Sequence, residues 1–219
     1  MSCYICGKEK VSVEHAPPKC FFPKLQRNNL ITVDSCKEHN EDTSLDDEYV
    51  RNIITMMIQG NSTAYEHFSN KSIKSFEKSH ALLQSITEKQ HPINFNGNQT
   101  VALEINRDRI DVIMRKIAYA LFYHKHKQRW LRKLITATTH LKTSDFENDD
   151  FGKLIEELQQ QHTPAYEGTN PDVFKFAFIK MDDDINNQFL RMKFYDGFEM
   201  WIIPDDNVGT CEPELNTLY

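Results

Sequence analysis

At 219 residues the chain has room for one large domain or two small ones. Its 39% hydrophobic and 26% charged residues are ordinary for a globular protein, and 7 Gly with 8 Pro exclude a long low-complexity tract. A formal net charge of −6 argues against a protein that coats nucleic acid over its whole surface, but not against a local basic patch. No apolar run reaches the roughly 18 residues of a membrane span. The opening stretch Met1-Ser-Cys-Tyr-Ile-Cys-Gly-Lys8 lacks the apolar core of a signal peptide. A cytoplasmic location is therefore the expectation, and there the 5 cysteines fit metal ligation or free thiols better than a disulfide framework.

Cys3 and Cys6 form a CxxC pair with Gly7 behind it, and Cys36 and His39 repeat the spacing. A two-residue gap lets both ligands of one turn face the same ion. Two such pairs supply the four ligands of tetrahedral zinc and leave no position open for chemistry. The expected ion is structural Zn²⁺, a staple for a segment too short to build its own core. Cys20 stands outside both pairs and reads as a small buried hydrophobe.

Between the pairs, Val11 and Val13 alternate with polar residues as in a short strand, which Pro17 and Pro18 end. Asn28 to Val33 reads as a second strand. A helix follows from Cys36, with Asp34 or Ser35 as its cap. The order is knuckle, strand, loop, strand, helix.

Cys-x-x-Cys, then Glu14-His15 followed by Pro-Pro-Lys, then Asn28-Asn29, then Cys-x-x-His-Asn40 resembles the zinc-ribbon branch of the HNH (ββα-metal) endonucleases over residues 1–60. His39 stands where a fourth cysteine is usual, and Glu14 where Asp is commoner. The resemblance implies that His15 is the base that activates water against a phosphodiester. Its unperturbed pKa of about 6.5 suits that task. It also implies that Glu14 and Asn40 hold a catalytic Mg²⁺ or Mn²⁺, hard ions that take oxygen ligands. Asn28 or Asn29 would steady the loop that bears the histidine, and Lys19 would contact a phosphate. Glu14 and His15 face opposite sides of a regular strand, so sharing one site requires the strand to distort.

Residues 45–58 read as a helix with Tyr49, Ile53, Met56 and Met57 near one face. Gly60-Asn-Ser stops it and marks a boundary between residues 1–60 and an α+β region, 61–219. Residues 64–90 look helical, His91-Pro92 breaks the pattern, and 100–105 form a short strand. Arg107 to Trp130 is strongly helical. The basic, aromatic end of that helix, with Lys125, Lys127 and Arg129, reads as helix-terminal cations on a solvated face, or alternatively as a phosphate-contacting patch. Residues 151–161 read as another helix. Three apolar runs, 173–181, 189–195 and 198–203, form an antiparallel sheet with one face on the helices, and Asp196-Gly197 is a hairpin signal. Their aromatics read as core, with a stacking platform for single strands as the lesser reading. This region resembles, in its basic-aromatic helix end and terminal hairpins, the α+β extension behind the HNH module of some bacterial proteins.

The expected fold class is α+β: a zinc-stapled ββα-metal module, a helical region and a C-terminal antiparallel sheet. By resemblance the expected activity is metal-dependent hydrolysis of DNA to 5′-phosphate and 3′-hydroxyl ends, nicking or cutting duplex, in a setting such as phage defence or restriction. The acidic net charge suggests that a homo-oligomer or partner protein contributes affinity. The competing reading is a non-catalytic, zinc-scaffolded module that binds nucleic acid or protein. A third has the first module as effector and the remainder as sensor or subunit contact.

Overall fold

A computed structural model describes residues 2–95, 97–138, 153, 155, 157 and 165–205. The protein is α+β. Strands β1 (Ser12–His15) and β2 (Thr32–Ser35) pair antiparallel, with Glu14 opposite Val33 and His15 opposite Thr32. One helical turn follows, α1 (Lys37–Asn40), then α2 (Ser44–Thr55). The second strand starts at Thr32 rather than Asn28, because Asn28-Asn29 is a turn with Asn29 at φ 53°. The helix cap is Cys36, not Asp34 or Ser35. Asp34 is drawn into an ion pair with Lys10, and the Ser35 hydroxyl donates to the Cys36 carbonyl.

Helices α3 (Ser62–His67) and α4 (Ile73–Lys78) are joined by a π turn over Phe68–Ser72, and α5 (His80–Thr87) follows. The break expected at His91 is instead strand β3 (Gln90–Phe95), paired with β4 (Asn98–Leu103). The Asn96-Gly97 dipeptide between two alternating runs is the hairpin signal that accounts for it. Helix α6 (Arg107–His126) carries Ile110, Ile113, Ile117, Leu121 and Phe122 into the core. It ends four residues before Trp130, at Lys127 in the left-handed conformation. Trp130 leaves the helix to stack on Phe122 at 4.6 Å and donate its indole N–H to the Asn186 carbonyl.

Five antiparallel strands close the fold in the order β5-β9-β8-β7-β6: β5 (Leu134–Ala137), β6 (Glu167–Asn170), β7 (Phe174–Lys180), β8 (Gln188–Phe194) and β9 (Phe198–Pro204). Along β8, Leu190, Met192 and Phe194 face the helices. The opposite face is covered as well, since Trp201, Ile179, Ala137 and Ile155 form a small second core. The predicted helix 151–161 lies mostly outside the described residues; Lys153, Ile155 and Glu157 are helical. Phe174, Phe176, Phe194 and Phe198 are buried and therefore core, not a stacking platform.

The packing runs across residue 60. One buried cluster joins Tyr4, Phe21 and Ile54 to Ile113, Phe194 and Met200. The β8–β9 turn makes the tightest join. Tyr195 and Asp196 both have positive φ, 51° and 57°, as a hairpin turn of mirror type requires. Tyr195 is a bulky residue in a region it disfavours. It is held by its hydroxyl, which donates to the Phe21 carbonyl, and by its carbonyl, which accepts from Asn61 N at 2.9 Å. A Cβ on Gly197 would stand 2.4 Å from Gly60 N and 2.6 Å from Gln59 C, both backbone atoms. Gly197→Ala is expected to cost about 1–3 kcal/mol by overpacking. A urea melt of the variant with an unchanged midpoint would show the turn gives way freely.

Candidate metal centre and the buried ion cluster beside it

The N-terminal knuckle and the α1 turn meet at one point. Cys3 Sγ lies 3.4 Å from His39 Nδ1, Cys36 Sγ 3.3 Å from the same nitrogen, and Cys6 Sγ 3.8 Å from Cys36 Sγ. All four ligand atoms fall within 4.8 Å of one another. A tetrahedral zinc site with bonds near ~2.3 Å has ligand–ligand edges of about 3.5–3.8 Å, so the cluster already has the dimensions of a coordination shell. Burial opposes ionisation of Cys3, but hydrogen bonds from His39 and nearby backbone outweigh it and bring the thiol to about 6. Burial, with Cys3 and Cys36 beside it, pushes Cys6 up to about 11. Three crowded sulfurs call for a cation to neutralise them. Cys20 stays outside, packed against the main core with burial raising its thiol to about 12.

The strand β1 does not distort at its end. Its register is regular through His15, so Glu14 and His15 point to opposite sides. The valines Val11 and Val13 face outward, 65% and 44% exposed, whereas Glu14 is 4% exposed. What draws Glu14 inward is Lys116 of α6, itself 1% exposed. The Lys116 ammonium lies 2.8 and 3.1 Å from the two Asp47 oxygens, 2.7 Å from Thr43 Oγ1 and 3.7 Å from Glu14 Oε1. Glu14 Oε2 and the Tyr4 hydroxyl are buried without a hydrogen-bond partner among the described residues. Burial pushes the Glu14 carboxyl up to about 7 against the opposing pull of Lys116, with Asp47 adding to the rise.

Asn40 does not complete a second metal site with Glu14. Its amide donates to Ser12 Oγ at 2.8 Å and to the Val13 carbonyl at 3.3 Å, at the start of the strand. With an ammonium already beside Glu14, these two side chains do not fit a shared divalent ion in this arrangement.

His15 faces the other way and is half-buried. Partial burial, and then the nearby cations Lys19 and Arg27, hold its pKa below the usual histidine value. The shift favours the neutral ring, with its lone pair, beside two positive charges. Lys19 is exposed, as a phosphate contact requires. Arg27, which the sequence reading did not single out, is fixed by donation from its Nε to the Phe22 carbonyl at 3.0 Å. Asn28 and Asn29 are exposed and engage through their carbonyls, which accept from Asn170 Nδ2 at 3.3 Å and Thr169 Oγ1 at 3.1 Å. They tie the loop to β6 rather than reaching His15 with their amides.

The basic end of α6 is used structurally. Lys125 pairs with Glu167 at 2.5 Å and lies over the Phe178 ring, and Arg129 reaches the Ile5 carbonyl at 3.4 Å beside the CxxC knuckle. Only Lys127 of the three is turned to solvent without a described partner. No helix among the described residues is long and apolar enough to cross a membrane. No family model, curated protein or solved structure matches the chain.

Proposed function

We propose that the chain is a zinc-scaffolded phosphodiesterase of nucleic acid, of the HNH type, with His15 as its base. The observation that carries this reading is a half-buried histidine at the end of β1, near enough to Lys19 and Arg27 for their charges to act on it, on a hairpin-and-helix unit gathered around a Cys₃His cluster. Neutral imidazole accepts a proton from the attacking water or hydroxyl. Lys19 and Arg27 supply positive charge where negative charge grows on the phosphoryl oxygens. Zinc in this reading holds the unit together and takes no part in the reaction. DNA is the substrate that the resemblance to HNH endonucleases favours, and a role in phage defence or restriction belongs to the same resemblance.

The position of Glu14 favours a second reading, a zinc-scaffolded module that binds nucleic acid without cutting it. The Lys116 ammonium, 3.7 Å from Glu14 Oε1, already serves the carboxylate that the HNH pattern would give to a divalent ion. Cleavage of supercoiled plasmid and of a labelled RNA by zinc-loaded protein, with and without Mg²⁺ or Mn²⁺, separates the two. Wild type is expected to cut, and His15→Ala to lose about 10²–10⁴-fold in rate while keeping its melting temperature. Equal rates in the two proteins would remove His15 from the chemistry, and no cleavage by either would leave the binding module.

A further inference from the structure

A groove of about 700 Å³ opens between the 23–27 loop and the α3–π turn–α4 helix. Five cations line it: Lys24 and Arg27 on the loop side, and Lys71, Lys74 and Lys78 on the helix side. The three helix lysines recur at spacings of three and four, which places them in one row on one face. All three, and Lys24, are exposed. Among the described residues none of these four lysines has a carboxylate within ion-pair distance. The lining carboxylates are Glu48 and Glu66, and Glu48 is already engaged by Arg51 and the Ser75 hydroxyl. In a chain of net charge −6 this concentration of positive charge is a local inversion of the overall balance.

Two features tie the groove to the His15 side and to ligand recognition. Arg27 belongs to both places, since it lines the groove and its charge acts on His15 and on His67. His67 also lines the groove, and its Nδ1 lies 2.6 Å from the Tyr195 hydroxyl. That hydroxyl spends its one proton on the Phe21 carbonyl. The hydrogen between the two rings must therefore sit on Nδ1, which leaves Nε2 as the imidazole's acceptor. Burial, with Arg51, Arg27 and Lys71, holds His67 down to about 4 and so keeps it neutral.

We infer that this groove holds the sugar–phosphate backbone of a nucleic acid strand, with Lys24, Lys71, Lys74 and Lys78 on successive phosphates and Arg27 leading the strand toward His15. A row of cations with no carboxylate partner among the described residues, along an open groove, suits a polyanion, whereas a lone phosphate would use two of them. His67 Nε2 accepts an O–H or N–H from the strand. The direction toward His15 rests on the proposed phosphodiesterase reading; the binding itself does not.

Fluorescence anisotropy of labelled single-stranded and duplex oligonucleotides tests it, using the full zinc-loaded chain without added Mg²⁺ over a salt series. Wild type is expected to bind at low salt. The triple variant Lys71→Glu, Lys74→Glu, Lys78→Glu is expected to bind at least tenfold more weakly, with a log–log salt slope shallower by about 2–3. A wild-type chain that binds through the lysines yet cuts nothing leaves the groove standing and removes the His15 chemistry alone. The inference is overturned if neither oligonucleotide binds wild type. It is also overturned if a triple variant with unchanged melting temperature keeps the wild-type affinity and slope. Displacement of the oligonucleotide by inorganic phosphate at equal phosphate concentration would likewise overturn it, by marking a single-anion site.

Discussion

Withholding zinc from the Cys3, Cys6, Cys36 and His39 cluster that could hold it is expected to unfold the first forty residues and to lower the melting temperature of the whole chain. Structural zinc contributes on the order of 10–16 kcal/mol to the folding of small zinc modules near neutral pH. Cys3, Tyr4 and Ile5 are fully buried, yet the segment from residue 2 to β1 has only one isolated bridge, Ser2 with Glu9, as regular pairing of its own. Tyr4 N and Val11 N donate to the Asp34 and Ser35 carbonyls and Lys8 pairs with Glu38 at the surface, so the buried tie to α1 is the four-ligand cluster. Its loss would propagate, because Arg129 reaches the Ile5 carbonyl and Tyr195 the Phe21 carbonyl from distant parts of the chain. Metal analysis of purified protein should return one zinc, and Cys36→Ser should reproduce the effect of the chelator. An apoprotein with wild-type circular dichroism and melting temperature would remove the ion from the structural account.

Lys116→Met is expected to destabilise the protein by about 3–5 kcal/mol, since breaking a buried ion cluster strands the charge that remains. Two carboxylates, Glu14 and Asp47, depend on this one ammonium, and the side chains of Lys116 and Glu14 are 1% and 4% exposed. Glu14→Gln is the companion variant. The folded-state pKa of Glu14 lies near 7, above the ordinary value of 4.5, so between these values the folded state binds more protons than the unfolded one. Stability contributed by this group is thus present below pH 4.5 and lost as pH rises toward 7. Glu14→Gln should flatten that decline, measured by urea melts across the window. A wild-type protein that gains stability from pH 5 to 7 relative to Glu14→Gln would show that Glu14 is held ionised instead.

The placement of Glu14 changes the functional argument as well. In the HNH pattern the residue before the histidine belongs to the reaction. Here its ion pair with α6 assigns it to the packing between the unit that carries the Cys/His cluster and the rest of the fold. His15 stays half-buried on the opposite side, with the charges of Lys19 and Arg27 acting on it. The proposed chemistry therefore stands on His15, Lys19 and Arg27, and the plasmid and RNA assays decide between cutting and binding.

What the sequence by itself determined is what short spacing determines. Two ligand pairs with two-residue gaps can serve one ion wherever the chain runs between them, and Cys3, Cys6, Cys36 and His39 do converge. Two apolar runs and the Asp196-Gly197 dipeptide between them were enough for β8, β9 and their hairpin, and helical repetition was enough for most of α6. Asn96-Gly97 was an equally local signal for β3 and β4, hidden because His91-Pro92 reads as a break. The tertiary structure decided the rest. Which face of β1 is buried depends on Lys116, about a hundred residues away, whose burial no local pattern announces because a lysine in a helix is usually solvated. The basic groove likewise joins a loop at residue 24 to lysines that look like a solvated helix face until that loop is packed opposite them. Charges act through space at ångström distances, and only the folded chain sets those distances.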